Sequence, residues 1–230
     1  MLQMQRRDDI LRLLEKNSEL TVKEMSAMLY ASPATIRRDL CALEKKGLLK
    51  RSFGGAVRTR SYSDQLPLII RSAENIEQKK RICKKAAEHI KDGDTIFLDA
   101  SSTTYFLVPH LSEISDLTII TNNPYLCTVL AEMKIRNFCT GGKMLNDSLA
   151  LVGHDAEQMI RGIRAHKCFF SARGCSEVIT DSSKDERDVK LAMLSQSKEH
   201  IFLCDTSKKG LEFPYIITST EKVDAIIDEI

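Results

Sequence analysis

Two helical patterns separated by only two residues constrain the start of this chain more than any other feature. The first pattern follows Thr21, which has Glu24 at the spacing of a capping box. The second begins at Ser32-Pro33, where serine can accept a bond from an early helical N–H group and proline needs no donor. Because only Tyr30-Ala31 lies between them, the two helices must cross sharply, as in a helix-turn-helix. The apolar residues of the first pattern share one face: Val22, Met25 and Leu29.

The helix that begins at Pro33 is predicted to bury one narrow face. Steps of about 100° per residue bring Ile36, Leu40 and Leu43 together on it. The opposite face is basic and carries few bulky side chains. The polar residues that lie opposite or on the flanks of the buried face are Arg38, Lys45, Arg37 and Thr35.

A basic hairpin is predicted after this helix. Gly47 can close the helix in the left-handed conformation, and LLKRSFGGAVRTR then has two short runs around Phe53-Gly54-Gly55. Residues 1–60 carry 13 Lys or Arg against 7 Asp or Glu, whereas residues 61–230 carry 21 against 25. This asymmetry indicates a polyanionic partner for the N-terminal module. The basic residues of the hairpin are Lys50, Arg51, Arg58 and Arg60.

The basic outer face has two interpretations. Any amphipathic helix shows its charges to water, so SPATIRRDL alone is equally typical of a capped surface helix. A preceding helix over Gln3–Asn17, the short turn and the basic hairpin together favour a winged helix that binds double-stranded DNA. Short side chains at the start of the third helix would allow close approach to a major groove, with arginines reaching phosphates or guanine edges.

Length and composition bound the remaining possibilities. A chain of 230 residues fits a small module plus a larger domain. No apolar run approaches the roughly 18 residues that span a bilayer, and the charged N-terminus lacks a signal-peptide core, so we expect a cytoplasmic protein with no membrane partner. Seven cysteines without a C-x-x-C pair favour neither disulfides nor a metal site, and we expect them reduced and mostly buried.

Helical and strand patterns alternate through the rest of the chain, after a linker over residues 59–73. This alternation predicts an α/β domain with a largely parallel, Rossmann-like sheet covered by helices. Ligands of such sheets bind beyond the carboxyl ends of the strands. The predicted strands are TIFL, LTII, Ile135–Cys139, KCFFS, HIFLC, YIIT and AIID, and the predicted helices are Glu74–Lys91, one from Thr103, one from Pro124, His154–Gly162 and Lys184–Gln196.

Polar residues cluster where these strands end. After TIFL comes the loop of residues 99–104, DASSTT, whose hydroxyls, N–H groups and positive helix end suit an anion such as phosphate. The alternative is that its serines and threonines only cap the helix. There is no G-x-G-x-x-G or G-x-x-x-x-G-K-[ST], so we expect no nucleotide cofactor. Other strand ends supply Thr121-Asn122-Asn123, Gly141-Gly142-Lys143, Arg173-Gly174 and Asp205-Thr206-Ser207-Lys208.

One long run of the N-terminal module resembles a known family. TVKEMSAMLYASPATIRRDLCALEKKGLLKRSFGGAV is similar to the first domain of DeoR-type bacterial transcriptional regulators, whose pattern is S-x-x-T-I-R-R-D-L followed by G-x-[LI]-x-R-x-H-G-G-A. Phe53 departs from it, since the family commonly has histidine there. By this resemblance the DNA contacts are carried by Ser32, Thr35, Arg37 and Arg38, and the hairpin adds Lys50 and Arg51 as candidates.

The resemblance extends over the second domain. DeoR sensor domains look like ribose-5-phosphate isomerase in fold and bind phosphorylated sugars or related metabolites. Ser102 and Arg173 depart from the family pattern; Arg173 could meet a second anionic group of the effector or form a structural bridge to Asp99 or Asp185, and we slightly favour the bridge. The effector-site residues that the resemblance implies are Asp99, Ser101, Ser102, Thr103, Thr104, Asn122, Gly141, Gly142, Arg173, Gly174, Lys190, Asp205 and Lys208, with Glu186 beside Lys190.

Three functions remain to be weighed. The resemblance implies a repressor of a carbohydrate operon, not an enzyme, whose hold on DNA changes when a sugar phosphate binds and which forms a dimer or tetramer. A sugar-phosphate isomerase with a nucleic-acid-binding appendage is the alternative, since carboxylates and lysines also serve proton transfer. A winged helix that binds protein is a weaker third. We expect a DNA-binding domain over residues 1–58, the linker over 59–73 and the sensing domain over 74–230, with neither cofactor nor metal.

Overall fold

The computed structural model describes residues 3–17, 19–45, 49–57, 71–72 and 74–230. The chain divides into two compact units, residues 1–64 and residues 65–230. No helix in the described ranges is long and apolar enough to cross a membrane. Several predicted features lie outside these residues: the helix end at Gly47, the hairpin residues Arg58 and Arg60, and nearly all of the linker over 59–73.

The N-terminal unit contains three helices and a small antiparallel sheet. Ile36, Leu40 and Leu43 are buried in its core, as their angular spacing predicts. They pack with apolar residues of the first two helices and of the sheet. The elements are α1 (Gln3–Lys16), β1 (Glu19–Thr21), α2 (Val22–Met28), α3 (Pro33–Lys45), β2 (Lys50–Ser52) and β3 (Gly55–Val57).

Two features that the sequence predicts in this unit, a capping box and a hairpin, are observed, and one further strand is present. Glu24 N donates to Thr21 Oγ1 at 3.2 Å and Thr21 N donates to Glu24 Oε2 at 2.7 Å, so the capping box forms. The predicted hairpin also forms, because β2 and β3 pair antiparallel. β1 was not predicted from the sequence; it pairs with β3 and makes the sheet three-stranded.

The C-terminal unit is built on a six-stranded sheet. Its strands lie in the order β14-β12-β9-β4-β5-β6, and every neighbouring pair is parallel. The strands of this sheet are β4 (Thr95–Leu98), β5 (Thr118–Thr121), β6 (Arg136–Cys139), β9 (Ala165–Phe170), β12 (Ser197–Leu203) and β14 (Ala225–Ile227). The helices of the unit are α4 (Ile76–Ala87), α5 (Pro124–Glu132), α6 (His154–Arg161) and α7 (Lys184–Gln196).

Both faces of this sheet are covered. Side chains of a strand alternate between the two faces, so Phe97 and Phe170 enter one apolar cluster while Ile96 and Phe169 enter the other. The predicted largely parallel α/β architecture is therefore confirmed.

Some expected elements differ from the observed ones. YIIT does not join the parallel sheet: β13 (Tyr215–Ser219) pairs antiparallel with β11 (Val178–Asp181), which also pairs with β10 (Gly174–Cys175). A parallel strand needs a long crossover, usually helical, whereas the chain between β12 and β13 has only one three-residue 3₁₀ turn. Two short strands, β7 (Lys143–Leu145) and β8 (Ala150–Val152), form a separate hairpin that was not predicted.

The predicted helix from Thr103 is a 3₁₀ helix over Thr104–His110. Pro109 lies inside it and has no N–H group for an α-helical bond. A helix therefore does follow this loop as predicted, but it is a short 3₁₀ helix, so the positive helix end is present only in that form.

The cysteines also differ from expectation. All seven are free, but only Cys83, Cys168 and Cys204 are buried. The other four are half-buried, because helix positions such as Cys41 and Cys127 do not lie fully on the inward face.

Candidate functional site

The outward face of α3 presents exposed basic side chains. Arg37 and Arg38 are both exposed, and neither forms an ion pair with any residue that the structure describes. Ile36 and Leu40 lie buried on the other side of the helix. The two guanidinium groups are therefore held at the surface by a firmly packed helix, with their donors directed to solvent.

The start of α3 is capped by two hydroxyl groups. Thr35 N donates to Ser32 Oγ at 3.2 Å, and the Ser32 and Thr35 hydroxyl oxygens are 2.8 Å apart. Ser32 is exposed and Thr35 is half-buried. The capping role expected from the sequence is thus present, and each hydroxyl keeps only its remaining hydrogen-bonding capacity for another partner.

A buried carboxylate links α3 to α1. Asp39 is 1% exposed, and its two oxygens accept bonds from Arg6 Nε at 2.6 Å and Arg7 Nε at 2.9 Å. Because each oxygen takes a different arginine, one side chain of α3 ties two consecutive residues of α1. The sequence marks Asp39 only as part of a family pattern and does not reveal its partners.

The hairpin carries two exposed basic side chains, one of which forms an ion pair within the unit. Lys50 is exposed. Arg51 Nε donates to Glu44 Oε2 at 2.6 Å and its backbone N donates to Glu44 Oε1 at 2.9 Å, and these two bonds lower the pKa of Glu44. Phe53, at the turn, is wholly exposed. Of the two hairpin candidates, Lys50 is the one directed outward without this restraint.

A second group of polar residues lies along the carboxyl edge of the parallel sheet. Since Leu98 pairs with Thr121 and Thr121 with Cys139, the loops after β4, β5 and β6 are neighbours. On the other side of β4, the loops after β9 and β12 follow in turn. The buried polar residues of these five loops include Asp99, Asn122, Thr140, Ser171 and Asp205.

Lys190 joins three carboxylates beneath this edge. Its Nζ atom lies 3.1 Å from Asp181, 3.4 Å from Asp99 and 3.6 Å from Glu186. Burial by itself lowers the pKa of Lys190, but the three carboxylates outweigh it and raise the pKa above its ordinary value. Lys190 is therefore charged and fully engaged with protein carboxylates.

Lys208 is half-buried in the same region. Its Nζ atom donates to Ser171 Oγ at 2.7 Å and Thr103 Oγ1 at 3.0 Å. It also pairs with Asp205 at 3.0 Å. Burial raises the pKa of Asp205, but Lys208 and the hydrogen bonds from Ser207 and Lys208 lower it below its ordinary value. The result is a lysine whose partners are two neutral hydroxyls and one carboxylate.

The loop after β4 uses most of its hydroxyl groups internally. Ser101 Oγ and Thr104 Oγ1 are 3.0 Å apart, and Thr104 Oγ1 donates to the Asp99 carbonyl at 2.8 Å. Asp99 in turn accepts bonds from Ser101 N at 3.2 Å and Ser171 N at 3.3 Å. The predicted capping alternative therefore describes Ser101 and Thr104 well. Only Thr103 directs its hydroxyl to Lys208.

Buried polar atoms without partners lie on the other side of Asp99. Asn122 donates to the Leu151 carbonyl at 3.0 Å, but its Oδ1 atom has no hydrogen-bond partner within the described ranges. The same holds for Thr140 Oγ1 and Ser148 Oγ. Gly142 is required here, because its φ is +114° and a Cβ atom would lie 2.5 Å from the Val152 carbonyl oxygen. Gly141, by contrast, faces open space.

Arg173 does not form the expected bridge. Neither Asp99 nor Asp185, both described, lies within ion-pair distance of it. Burial and the neighbouring Arg71 lower the pKa of Arg173, while Asp181, Glu186 and Glu74 act in the opposite direction. The structural bridge was thus wrongly assigned. Gly174 is needed for close packing, since a Cβ atom there would lie 2.3 Å from the Leu211 carbonyl oxygen.

The structure adds residues that were not predicted from the sequence. Ser171 ends the predicted strand KCFFS, so its position was available from the sequence. Asp181 ends β11, a strand that was not predicted. Asn75 contacts the loop that follows Asp205, and Lys79 contacts the backbone at the start of the unit. No local sequence pattern indicates either contact. Among the described residues, no group of three or more His, Cys, Asp or Glu side chains is arranged to hold a metal ion.

A winged helix followed by an α/β domain with a cluster of buried polar residues at its strand ends is the arrangement of a two-domain regulator. Residues 6–62 match the DeoR-like helix-turn-helix domain, and residues 74–229 match the DeoR C terminal sensor domain. The chain belongs to the DeoR family of transcriptional regulators. The fold class and the class of function expected from the sequence are confirmed.

Two curated relatives span nearly the full length of the chain. The HTH-type transcriptional regulator GolR of Listeria innocua is 36% identical over 232 residues, which cover 100% of this chain and 91% of that protein. The lactose phosphotransferase system repressor of Staphylococcus epidermidis is 34% identical over 89% of this chain and 83% of its own length. These relatives are regulators and not enzymes by name.

Two solved structures align with the chain at low sequence identity. eIF2B delta from Chaetomium thermophilum aligns with a TM-score of 0.50 and 19% identity over 70% of this chain and 59% of its own. A D-ribose-5-phosphate isomerase in complex with phospho-erythronic acid aligns with a TM-score of 0.45 and 17% identity, over 58% of this chain and 54% of its own.

Proposed function

We propose that this chain represses a carbohydrate-metabolism operon by binding double-stranded operator DNA, and that a phosphorylated sugar or related metabolite controls that binding. Residues 1–58 form the DNA-binding domain, residues 59–73 the linker and residues 74–230 the sensing domain. The relative named a lactose phosphotransferase system repressor supports both repression and a sugar-linked signal. The protein acts in the cytoplasm, where its operator is.

The DNA-binding role rests on α3 and the hairpin. Arg37 and Arg38 are exposed on a helix whose other face is locked in the core, so the helix can enter a major groove without losing its packing. Arginine suits guanine edges and phosphates alike. Ser32 and Thr35 contribute through the remaining lone pairs of their hydroxyls, and Lys50 and Arg51 contact the backbone from the hairpin.

The observation that carries the effector proposal is the bonding of Lys208. Its Nζ atom is held by the hydroxyls of Thr103 and Ser171; the Thr103 hydroxyl can turn to donate to an anion, whereas Ser171 already donates to the Leu203 carbonyl. A phosphate oxygen beside Lys208 would give this ammonium group an ionised acceptor in place of neutral hydroxyl acceptors, and an ion pair of this kind is the stronger bond. Ser101, Ser102 and Thr104 complete this end of the site: Ser102 offers its hydroxyl and N–H group, and Ser101 and Thr104 fix the loop through their internal bonds.

The sugar hydroxyls have partners on the far side of Asp99. Asn122 Oδ1, Thr140 Oγ1 and Ser148 Oγ are buried and unpaired within the described structure, and a buried unpaired polar atom costs free energy. A polyhydroxylated ligand would satisfy them. Gly141 and Gly142 let the backbone approach the ligand, while Asp99, Asp205 and Lys190 fix the charge pattern beneath it. Arg173 and Gly174 border the site, with Arg173 facing a second anionic or hydroxyl group.

The competing isomerase function is disfavoured by the state of the carboxylates. Asp99, Asp181 and Glu186 all surround the charged Lys190, so each is paired with a buried cation of the protein and none stands alone as a base for a substrate. The named relatives are transcriptional regulators. Incubation of the purified protein with ribose 5-phosphate should give no ribulose 5-phosphate, and steady turnover would revive the isomerase.

The regulator is proposed to act as a homo-oligomer, a dimer or tetramer. A two-fold assembly would read two operator half-sites about one helical turn apart, because symmetric helix-turn-helix proteins bind symmetric DNA. Analytical ultracentrifugation at micromolar concentration tests this. A monomer that stays monomeric on DNA with a single protected half-site would contradict it.

The decisive experiment pairs ligand binding with DNA release. Thermal unfolding is measured with a panel of hexose and pentose phosphates, each matched with its unphosphorylated sugar. We expect at least one phosphate ester to raise the unfolding temperature while its parent sugar does not, and the same ester to change retention of DNA from upstream of the chain's own gene. Retention of no such DNA would favour a protein partner for the winged helix.

A further inference from the structure

The chain enters the sensing unit through four described residues that we call the entry segment: Arg71, Ser72, Glu74 and Asn75. They directly precede α4. Any signal passed along the chain from the sensing unit toward the N-terminal unit must leave through this segment. Its contacts within the sensing unit are therefore of special interest.

Asn75 occupies the N-cap position of α4 in an unusual way. Asparagine at an N-cap normally accepts a bond from an early helical N–H group. Here the side chain forms no such cap, and the residue is left-handed, with φ 51° and ψ 37°. Its Nδ2 atom instead donates to Ser207 Oγ at 3.1 Å and lies 3.5 Å from Asp205 Oδ1. α4 therefore lacks the ordinary side-chain cap, and the Asn75 side chain instead contacts a loop far along the chain.

Lys79 holds the other end of the segment. It is buried one turn into α4, and its Nζ atom donates to the carbonyl oxygens of Glu74, at 2.8 Å, and Arg71. Burial, followed by the nearby Lys208, lowers the pKa of Lys79 to about 8. A lysine is thus placed under the backbone of the entry segment and within the electrostatic reach of the proposed effector site.

The loop that Asn75 contacts also carries Lys208. Asp205 accepts bonds from Ser207 N at 3.2 Å and from Ser207 Oγ through Oδ1, and pairs with Lys208 through Oδ2. Lys208 in turn bonds to Thr103 and Ser171. One continuous set of hydrogen bonds therefore runs from Thr103 through Lys208, Asp205 and Ser207 to Asn75.

We propose that Asn75 is a positioning residue that makes the entry segment respond to occupation of the Lys208 site by an anion. This inference rests on the proposed function. An anion that takes the place of Thr103 and Ser171 at Lys208 weakens the pull of Lys208 on Asp205. The hydrogen bonds of Asn75 with Asp205 and Ser207 then change in strength, and the stability of the entry segment changes with them. A ligand shifts such an equilibrium only by binding the two arrangements unequally, and the Lys208 bonds supply that difference.

The test uses the full chain, Asn75→Gly and hydrogen–deuterium exchange, with inorganic phosphate as the probe against chloride at equal ionic strength. Glycine keeps the left-handed backbone and removes only the side chain. Asp116→Gly is the matched control, because Asp116 is also left-handed, with φ 53°, and its side chain is exposed. Asn75→Asp retains the shape of the side chain but places a negative charge beside Asp205.

In the unaltered protein we expect phosphate to change exchange at residues 205–208 and at the entry segment together. In Asn75→Gly, exchange at the entry segment should be about fivefold faster without ligand, the change that loss of one ordinary hydrogen bond gives. Phosphate should then affect residues 205–208 alone. Asn75→Asp should uncouple the two segments as well, and Asp116→Gly should behave like the unaltered protein.

Two failures are distinguishable. If phosphate changes exchange at residues 205–208 but never at the entry segment of the unaltered protein, the effector site stands and the role of Asn75 is overturned. That role is also overturned if Asn75→Gly only lowers stability and both segments still respond together. If phosphate and the sugar phosphates leave residues 205–208 unchanged, the proposed effector site itself is wrong and the inference falls with it.

Discussion

Asp39 on α3 accepts one hydrogen bond on each carboxylate oxygen from two consecutive residues of α1, Arg6 and Arg7. The carboxylate is buried, whereas the two arginines are partly exposed. The orientation of α3 in its unit therefore depends on α1 through charge as well as through apolar packing. The sequence alone would suggest that Arg6 and Arg7 are simply exposed to solvent.

Replacing Asp39 by asparagine should destabilise the N-terminal unit. The change leaves two guanidinium groups without their charged acceptor, and hydrogen bonds to charged groups contribute about 1.5–3 kcal/mol each. Because the arginines retain access to water, we expect a total loss of about 2 kcal/mol in the free energy of unfolding. Urea unfolding monitored by circular dichroism gives the value. Glu44→Gln on the same helix is the comparison, because it weakens a solvent-accessible pair with Arg51. Equal effects of the two changes would contradict a special role for Asp39.

Arg38→Ala should weaken operator binding. If Arg38 contacts a base, the loss is about 1–3 kcal/mol and specificity at that base relaxes; if it contacts a phosphate, the salt slope of the binding constant falls by about one unit. Fluorescence anisotropy over a range of salt concentrations separates the two cases. Lys198→Ala, which removes an exposed charge from the sensing unit, should leave both quantities unchanged. Unaltered affinity and slope in Arg38→Ala would remove this residue from the interface.

Thr103→Val and Lys208→Ala should each abolish the stabilisation that the effector produces. Both changes remove a group that we place against the phosphate, and a ligand that no longer binds the folded state cannot stabilise it. Operator affinity without effector should be retained in Thr103→Val, which leaves the ion pair of Lys208 with Asp205 in place. Lys209→Ala is the control, because Lys209 pairs with Asp228 instead. A normal melting shift in both Thr103→Val and Lys208→Ala would mean that the pocket lies elsewhere.

The stability of the protein should rise with pH because of Lys79. Its pKa is about 8 in the folded state against 10.5 as the ordinary value, so the unfolded chain binds the extra proton between these pH values. The burial penalty is complete below pH 8 and is relieved as pH rises toward 10.5. The free energy of unfolding, taken relative to Lys79→Met, should therefore increase by at most about 1.4 kcal/mol per pH unit in this window. Urea titrations at several pH values measure it, and a flat difference would show that Lys79 titrates normally when folded.

The two units differ in how far the sequence predicts them. In the N-terminal unit, the Thr21 capping box and the spacing of Ile36, Leu40 and Leu43 are local patterns, and local patterns are what sequence reasoning reads well. β1 could not be predicted, because three residues are too few to show the alternation of apolar and polar side chains that marks a strand. In the sensing unit the buried strands TIFL and HIFLC were evident as apolar runs.

The interior of the sensing site was harder to predict. The partners of Lys190 come from three separate segments, and Asp181 is the last residue of β11, a strand that the sequence did not predict. Pro109 is a local indication that the helix after Thr103 is not α-helical. Asn75 gave no local signal, because its role depends on a contact with Ser207 far along the chain.

The six parallel strands of the sensing unit deliver their connecting loops to one edge, while the apolar clusters lie on the two faces. In the proposed function, a substitution in one of those loops changes ligand preference without disturbing the layers that hold the unit together. The same scaffold can therefore acquire a new small-molecule signal during evolution by exchanging a few loop residues. Its DNA-binding partner unit need not change at the same time.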